Sequence, residues 1–205
     1  MSPPAPTTVV FDIGNVLLRW DPRNLYRKVF ADEAQMEWFL REVCTTEWNI
    51  EQDRGRTWDE AVAHLVERHP DWEAEIRAFH ERWHETVVGV FDDNVAVLER
   101  LIRAGIPIYA ITNFSSDKFR EAQGIYPFLK SFRGVVVSGD ERLIKPDRAI
   151  FDLFLKRYGL EPGECVFIDD SRANIETARG LGMRTIHYVE PMDVAAALRE
   201  HGIAI

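Results

Sequence analysis

Asp12 is the first residue of this sequence whose type and position indicate chemistry. It ends an apolar segment at residues 9–11, and Gly14 follows two positions later. A carboxylate at the carboxyl end of a buried parallel strand lies over the crevice in which open α/β sheets bind ligands, and glycine lets the backbone turn close to a substrate. Aspartate is also common in ordinary turns. Alone, the residue therefore indicates either a nucleophile or a turn.

Two later strand-like segments also end in reactive side chains. One leads into Thr112 and Asn113, and the other leads into Asp169 and Asp170. Between them Lys145 precedes a proline, which disfavours helix at the lysine and predicts a loop. Adjacent carboxylates at the end of an apolar strand repel each other and resist desolvation unless a cation or hydrogen-bond donors lie beside them. The acid pair therefore indicates a metal site, while a helix cap is the alternative for one of its members.

These four segments, in this order, resemble the four motifs of the haloacid dehalogenase-like hydrolase superfamily, most of whose members are magnesium-dependent phosphatases. The resemblance covers nearly the whole chain and implies that Asp12 is the nucleophile, forming an aspartyl-phosphate that water hydrolyses. A carboxylate attacks a phosphoryl group only when a divalent cation and an ammonium offset the negative charges. Lys145 is the ammonium that the resemblance implies, and it would hold the phosphate together with Thr112 and Asn113.

The same resemblance implies a set of magnesium ligands. Mg²⁺ prefers an octahedral set of oxygens with few protein carboxylates and several waters. The implied ligands are Asp12, the backbone carbonyl of Gly14 and Asp170. Asp169 and Asn174 would support these ligands from behind, although Asp169 remains an alternative direct ligand.

Gly14 departs from the commonest phosphatase pattern of the superfamily. In that pattern a second aspartate stands at this position, protonates the leaving oxygen and then activates water. Such acid–base assistance is typically worth ~10²- to 10⁴-fold, so its absence weighs most on simple alcohol leaving groups. The form Asp-x-Gly-Asn-Val resembles a bacterial subgroup that includes a glucose 1-phosphate phosphatase. We therefore expect a phosphatase of a small phosphorylated metabolite, biased toward sugar 1-phosphates or similarly activated esters.

Two alternatives remain within the same fold. In a 2-haloacid dehalogenase the same aspartate attacks carbon, without a metal and without an acid pair at the last motif. Asp169 and Asp170 favour phosphate, because an acid pair without a cation is costly to bury. The other alternative is a non-catalytic relative that only binds a phosphorylated metabolite, since Gly14 removes the usual acid.

A motif of another class lies in the middle of the chain. His80, Glu81 and His84 match the His-Glu-x-x-His pattern of zinc proteases. No histidine follows at the extended spacing, and the segment is rich in charges. A solvated helix face is therefore the favoured interpretation.

Strand-like and helical segments alternate from about residue 90 onward. Residues 94–103 show helical apolar spacing that ends near Gly105, and a second such helix ends at Gly159. Further strands are predicted at 134–138 and 184–188. Strands separated by single helices predict an α/β fold with a doubly wound, Rossmann-like parallel sheet.

Residues 21–89 differ, being rich in Trp, Glu, Arg and His and almost free of glycine. This composition predicts a helical insert after the first strand. The resemblance implies that it is a cap domain over the active site, with the hydrolase core in residues 1–20 and 90–205.

One cluster in this insert combines polar and aromatic side chains that could face a substrate. It contains Trp48, Asp53, Arg54, Gly55 and Trp58. Arg54 is the first member to test for contact with phosphate or sugar. The two tryptophans are expected in the core of the insert.

Composition narrows the class of protein. The 205 residues are 46% hydrophobic, enough for one sizeable core and a smaller one. A net charge of -9 opposes non-specific binding to nucleic acid or an anionic membrane. Two distant cysteines fit a reduced, cytoplasmic setting. Residues 1–6 lack the features of a secretory signal and are predicted as a loose leader, and no segment reaches the ~20 apolar residues of a membrane span. Oligomeric state is not predicted.

Overall fold

Seven strands and eleven α-helices make up the described part of the protein. The structure is a computed structural model that describes residues 6–205, so the leader predicted at 1–6 lies outside it apart from Pro6. The strands are β1 (Thr8–Phe11), β2 (Leu18–Trp20), β3 (Val87–Val90), β4 (Ile108–Thr112), β5 (Gly134–Val137), β6 (Cys165–Asp169) and β7 (Arg184–His187). The helices are α1 (Arg23–Tyr26), α2 (Glu33–Glu42), α3 (Thr46–Asp53), α4 (Trp58–Arg68), α5 (Glu73–Glu81), α6 (Asp92–Arg103), α7 (Ser116–Ile125), α8 (Ser138–Glu141), α9 (Arg148–Tyr158), α10 (Arg172–Gly180) and α11 (Val194–Glu200). Short 3₁₀ helices cover Pro70–Trp72, Trp83–Thr86, Pro127–Lys130 and Pro162–Glu164.

Five parallel strands form the central sheet, in the order β5-β4-β1-β6-β7. Strand β1 lies in the middle, where Val9 pairs with Ile108 of β4 and with Val166 of β6. Its residues are buried on both sides, as expected for a parallel strand between helical layers. The predicted doubly wound α/β fold is therefore confirmed. The carboxyl ends of β1, β4 and β6 meet at one edge of the sheet, where such folds bind ligands.

Helices cover both faces of this sheet. Val9 and Phe11 face one apolar cluster, to which α6, α7 and α11 contribute. Val10 faces the other cluster, which α9 and α10 complete. Helix α9 ends where the sequence predicts. Gly159 follows it in the left-handed conformation (φ 62°), which glycine adopts without strain.

Helices α1–α5 form a helical insert between β2 and β3. These two strands pair antiparallel and hold the two ends of the insert together, an arrangement that the sequence does not predict. The interior of the insert is aromatic, with Tyr26, Phe39 and Phe79 almost fully buried. Trp48 and Trp58 are also buried and pack edge to face, as the sequence predicts for both. No helix of residues 6–205 has the length and apolar character needed to cross a bilayer.

Candidate active site

Lys145 joins the ends of three neighbouring strands. Its Nζ lies 2.9 Å from Asp12 Oδ2 and 2.7 Å from Asp169 Oδ2, and it donates to the carbonyl of Ile111 at 2.8 Å. The lysine side chain has no exposed surface. The buried ammonium therefore connects three strands: Asp12 follows β1, Asp169 is the last residue of β6, and Ile111 belongs to β4.

Asn113 fixes the backbone of Lys145. The Asn113 side chain accepts from the Lys145 N–H at 2.9 Å and donates to the Lys145 carbonyl at 3.0 Å. Lys145 lies in the loop between α8 and α9, as the proline after it predicts. The Asn113 side chain is thus engaged with the backbone of Lys145, and the phosphate contact that the sequence predicts for it stays a prediction.

Asp12 lies directly after β1 and is 8% exposed. Its Oδ1 accepts from the Ile13 N–H at 2.7 Å, which leaves Oδ2 toward Lys145. Burial, aided by the charges of Asp169 and Asp170 and opposed by Lys145, raises the pKa of Asp12 to about 8. The negative charge of the site therefore exceeds what one ammonium offsets.

The two members of the acid pair have different surroundings. Asp169 is fully buried, and its carboxylate accepts hydrogen bonds from three groups. The Ser171 N–H donates at 2.7 Å, Asn174 Nδ2 lies 3.0 Å from both carboxylate oxygens, and Lys145 Nζ donates at 2.7 Å. Asp170 is exposed, and its pKa is raised by partial burial and by Asp169. Asp169 is thus saturated by donors, whereas Asp170 is accessible to solvent.

Three carboxylates form a cluster with the donor chemistry of a divalent-cation site. One oxygen from each of Asp12, Asp169 and Asp170 lies within 4.8 Å of the others. Carboxylate oxygens are the ligands that hard cations such as Mg²⁺ prefer. Among residues 6–205, Lys145 is the one ammonium that pairs with this cluster, through Asp12 and Asp169, so the residues present fit such a cation.

Thr112 places a hydroxyl without a partner beside this cluster. It is the last residue of β4 and is fully buried, and its Oγ1 makes no hydrogen bond to the described residues. A buried hydroxyl without a partner costs free energy in the absence of a ligand. The phosphate contact that the sequence predicts for this hydroxyl stays a prediction.

Gly14 lies in the turn that follows Asp12. A Cβ built on Gly14 would meet no atom within 4 Å. The turn continues through Asn15, which is left-handed (φ 53°), and its N–H donates to the Leu18 carbonyl at 2.8 Å. The space in which a Cβ would lie at Gly14 is therefore open.

A cavity of about 100 Å³ opens beside Gly14 and reaches the helical insert. Its walls are mostly aromatic and aliphatic, with a few polar side chains. They are formed by Gly14, Leu18, Trp20, Asn49, Asp53, Trp58, Trp83, Val87, Asn113, Phe114 and Ser115. Arg54, the contact that the sequence favours, is not among them, because its half-exposed side chain lies 3.5 Å from Glu51. Asp53 is the charged group that faces this cavity.

The histidines of the His-Glu-x-x-His pattern are not arranged as a zinc site. Helix α5 ends at Glu81, so His84 falls in the following 3₁₀ helix. His80 stacks on Trp58 with a centroid distance of 5.2 Å. In residues 6–205 the cluster at Asp12 is the one group of acidic, histidine or cysteine side chains close enough to hold a metal. His80 therefore packs against an aromatic ring and does not lie on a fully solvated face.

Comparison with known proteins decides the family. Residues 6–182 match the haloacid dehalogenase-like hydrolases, which is more than half of the chain. The chain belongs to the haloacid dehalogenase-like hydrolase family. This hydrolase is 26% identical to the sesquiterpene phosphatase astK of Aspergillus oryzae over 105 residues, which are 51% of this chain and 54% of that protein. It thus spans about half the length of that relative, and further curated relatives are matched over 6% to 35% of their length.

Solved structures share the fold of this hydrolase. A HAD family enzyme from Bacteroides thetaiotaomicron, in complex with magnesium and inorganic phosphate, aligns with a TM-score of 0.73 at 21% identity, over 94% of this chain and 98% of its own. The L-2-haloacid dehalogenase from Xanthobacter autotrophicus, with chloropropionic acid covalently bound, aligns with a TM-score of 0.62 at 17% identity, over 98% of this chain and 85% of its own. At these identities the likeness establishes the fold alone.

Proposed function

We propose that this hydrolase is a magnesium-dependent phosphatase that acts on a small phosphorylated metabolite through an aspartyl-phosphate on Asp12. The observation that carries the proposal is the position of Lys145, whose Nζ lies within 2.9 Å of both Asp12 and Asp169 while Asp170 lies in the same acidic cluster. A metal-independent attack on carbon has no need of that third carboxylate. The magnesium and phosphate of the Bacteroides neighbour support the same assignment.

The nucleophile is held in position before the reaction. Asp12 is fixed through Oδ1 by the Ile13 N–H, and Lys145 lies at Oδ2. In the first step an Asp12 oxygen forms a bond to phosphorus, and the bond from phosphorus to the leaving oxygen breaks. In the second step water attacks the same phosphorus, which releases inorganic phosphate and restores the carboxylate. Lys145 and the free Thr112 hydroxyl bind phosphoryl oxygens through both steps.

The cation would be held by Asp12, the backbone carbonyl of Gly14 and Asp170. When bound, Mg²⁺ supplies positive charge that offsets the carboxylates and the phosphate. Asn174 and Ser171 donate to Asp169 and hold its carboxylate in place. Asp169 in turn orients Lys145 beside the cation ligands and does not bind the cation directly.

The helical insert is proposed to be a cap that bounds the leaving-group side of the site. Residues of the insert and of the sheet edge line the cavity beside Gly14 together. Aromatic rings with a few polar groups suit the faces and hydroxyls of a sugar, which supports a sugar 1-phosphate as substrate. Part of the cavity wall is apolar, and one relative is a sesquiterpene phosphatase, so terpenyl phosphates are the substrates to compare with sugar phosphates.

The two cysteines support a reducing, cytoplasmic location, because Cys44 and Cys165 are both free and buried.

A screen with Mg²⁺ tests this proposal. Wild-type protein and Asp12→Asn are assayed for phosphate release from sugar 1-phosphates, terpenyl phosphates and p-nitrophenyl phosphate, each with and without a chelator. We expect release by wild type that the chelator abolishes, and a loss of about 10⁴-fold or more in the variant. Glu47→Gln, an exposed charge change on α3, is the control.

Halide release from 2-haloacids is measured in parallel. Chelator-resistant halide release without phosphate release would assign a dehalogenase instead. Tight binding of phosphate esters by wild type without turnover would assign a non-catalytic binding protein.

A further inference from the structure

We infer that the carboxyl group of Asp53, which the helical insert brings into the cavity beside Gly14, exchanges a proton with the leaving oxygen. This inference rests on the proposed phosphatase function and supplies the group that Gly14 lacks. In the commonest pattern of the superfamily, an aspartate at the position of Gly14 does this work. Here Gly14 and Asp53 line one cavity, Gly14 from the turn after β1 and Asp53 from the helical insert.

Asp53 shares this cavity with residues that adjoin the nucleophile and the phosphate-binding hydroxyl. It is the last residue of α3, and it lines the cavity together with Gly14 and Asn113. Gly14 is two residues after Asp12, and Asn113 follows Thr112. A leaving group extending from a phosphoryl group on Asp12 into this cavity therefore meets the Asp53 carboxyl.

Close backbone contacts fix the end of α3 against the sheet edge. Gly55 is left-handed (φ 98°), and a Cβ on it would lie only 2.8 Å from the carbonyl oxygen of Gly139. The backbone N–H of Ser115 lies close enough to the Asp53 carboxyl to lower its pKa, against the effect of burial. Trp58 Nε1 donates to the Ser115 hydroxyl at 3.0 Å. Asp53 is thus positioned relative to the loop after β4 and does not depend on a mobile surface segment.

The surroundings of Asp53 favour its protonated form. No ion pair to Asp53 occurs among residues 6–205. The adjacent cations are directed elsewhere, since Arg54 pairs with Glu51 and Arg56 donates to Gln52 at 2.8 Å. A negative charge at a helix C-terminus also opposes the helix dipole. Burial accordingly raises the pKa of Asp53 to about 7, so both protonation states are accessible near neutral pH.

The proton and electron balance of both steps closes with Asp53 alone. As the bond between phosphorus and the leaving oxygen breaks, its electron pair stays on that oxygen, which takes the Asp53 proton and departs as an alcohol. The Asp53 carboxylate then accepts a proton from the water that attacks the aspartyl-phosphate. Phosphate leaves, and both aspartates return to their starting states. No further reactant is required.

Leaving-group dependence tests this role. A p-nitrophenolate departs without a proton, whereas the oxygen of an alkyl phosphate needs one. We expect Asp53→Asn to lower kcat/KM for a simple alkyl phosphate by about 10²-fold and for p-nitrophenyl phosphate by less than about tenfold. Glu47→Gln, a neutralising change at an exposed position of the same helix α3, is the matched control, and we expect it to leave the ratio of the two rates unchanged.

A rescue variant sharpens the test. Because a Cβ at Gly14 meets no neighbour, Gly14→Asp places a carboxyl at the position used in the commoner pattern. In the Asp53→Asn background it should recover at least about tenfold of the lost alkyl phosphatase activity. If Asp53→Asn does not fold, as judged by circular dichroism, Asp53→Ser removes the same carboxyl, and the same ratios are expected.

The outcomes separate this inference from the proposed function. Equal losses on both substrates, with Mg²⁺ binding reduced in calorimetry, would make Asp53 structural and overturn the inference while the phosphatase assignment stands. Unchanged activity on both substrates would overturn it in the same way. Absence of any Mg²⁺-dependent phosphate release by wild type would overturn the proposed function and the inference with it.

Discussion

The side-chain amide of Asn113 makes two hydrogen bonds to the backbone of Lys145, 32 residues further along the chain. Asn113 follows β4, whereas Lys145 lies in the loop before α9. The amide therefore ties the loop that carries the ammonium to the strand that ends in Thr112. The ammonium of Lys145 reaches Asp12 and Asp169 only because this loop is held against the sheet edge.

Replacing Asn113 should therefore impair catalysis through Lys145. Asn113→Ala removes both hydrogen bonds, and a misplacement of about 1 Å at a catalytic group costs about 10²-fold in rate. We expect kcat to fall by about that factor in steady-state assays. Asn113→Asp keeps an acceptor for the Lys145 N–H but loses the donor to its carbonyl, so it should not restore the rate. A change in KM alone, with kcat retained, would favour the phosphate contact predicted from sequence.

Thr112→Val should separate stability from ligand binding. The Thr112 hydroxyl is buried without a partner, so its removal should leave the ligand-free protein at least as stable, by up to about 1 kcal/mol in urea unfolding. Phosphate inhibition should weaken by about tenfold, because one hydrogen bond to a charged oxygen is lost. Lower stability with unchanged phosphate inhibition would show that the hydroxyl has a structural partner instead.

The two adjacent acids should respond differently to neutralisation. Asp169→Asn leaves a buried ammonium with one carboxylate fewer and disturbs the donors of Asn174, so we expect unfolding to become easier by about 3 kcal/mol. Asp170→Asn changes an exposed group, and we expect little loss of stability but a large loss of Mg²⁺ affinity in calorimetry. The reverse pattern would make Asp169 the direct ligand.

Asp53 should give the protein a characteristic dependence of stability on pH. The pKa of this group is 3.8 in its ordinary state and about 7 when folded. Between these values the folded protein keeps a proton that the unfolded chain releases, so the free energy of unfolding falls as pH rises from about 4 to about 7. Melting temperatures at about pH 5 and about pH 8 should therefore differ less in Asp53→Asn than in wild type. Glu47→Gln, an exposed change on the same helix, should keep the wild-type difference, and an identical difference in Asp53→Asn would contradict the raised pKa.

The main sheet was predictable because its strands are short, apolar and separated by single amphipathic helices. That local pattern depends on near neighbours in the chain and requires no knowledge of contacts. The pairing of β2 with β3 was not predictable in this way. Trp20 and its partner Val87 are separated by 66 residues, and strands of three and four residues are too short to show a clear apolar pattern. Gly14 and the acid pair were likewise visible as residue types at the ends of apolar segments.

The chemical identity of the site was determined by the sequence, since the types and order of Asp12, Thr112, Lys145 and the acid pair are local properties. Only the tertiary structure decided which neighbouring side chain faces the cavity. Asp53 and Arg54 are adjacent in the sequence, but where Gly55 packs closely against Gly139 at the end of α3, the acid lines the cavity and the arginine is half exposed beside Glu51. Such an orientation depends on how two distant segments pack, and no spacing within either segment encodes it.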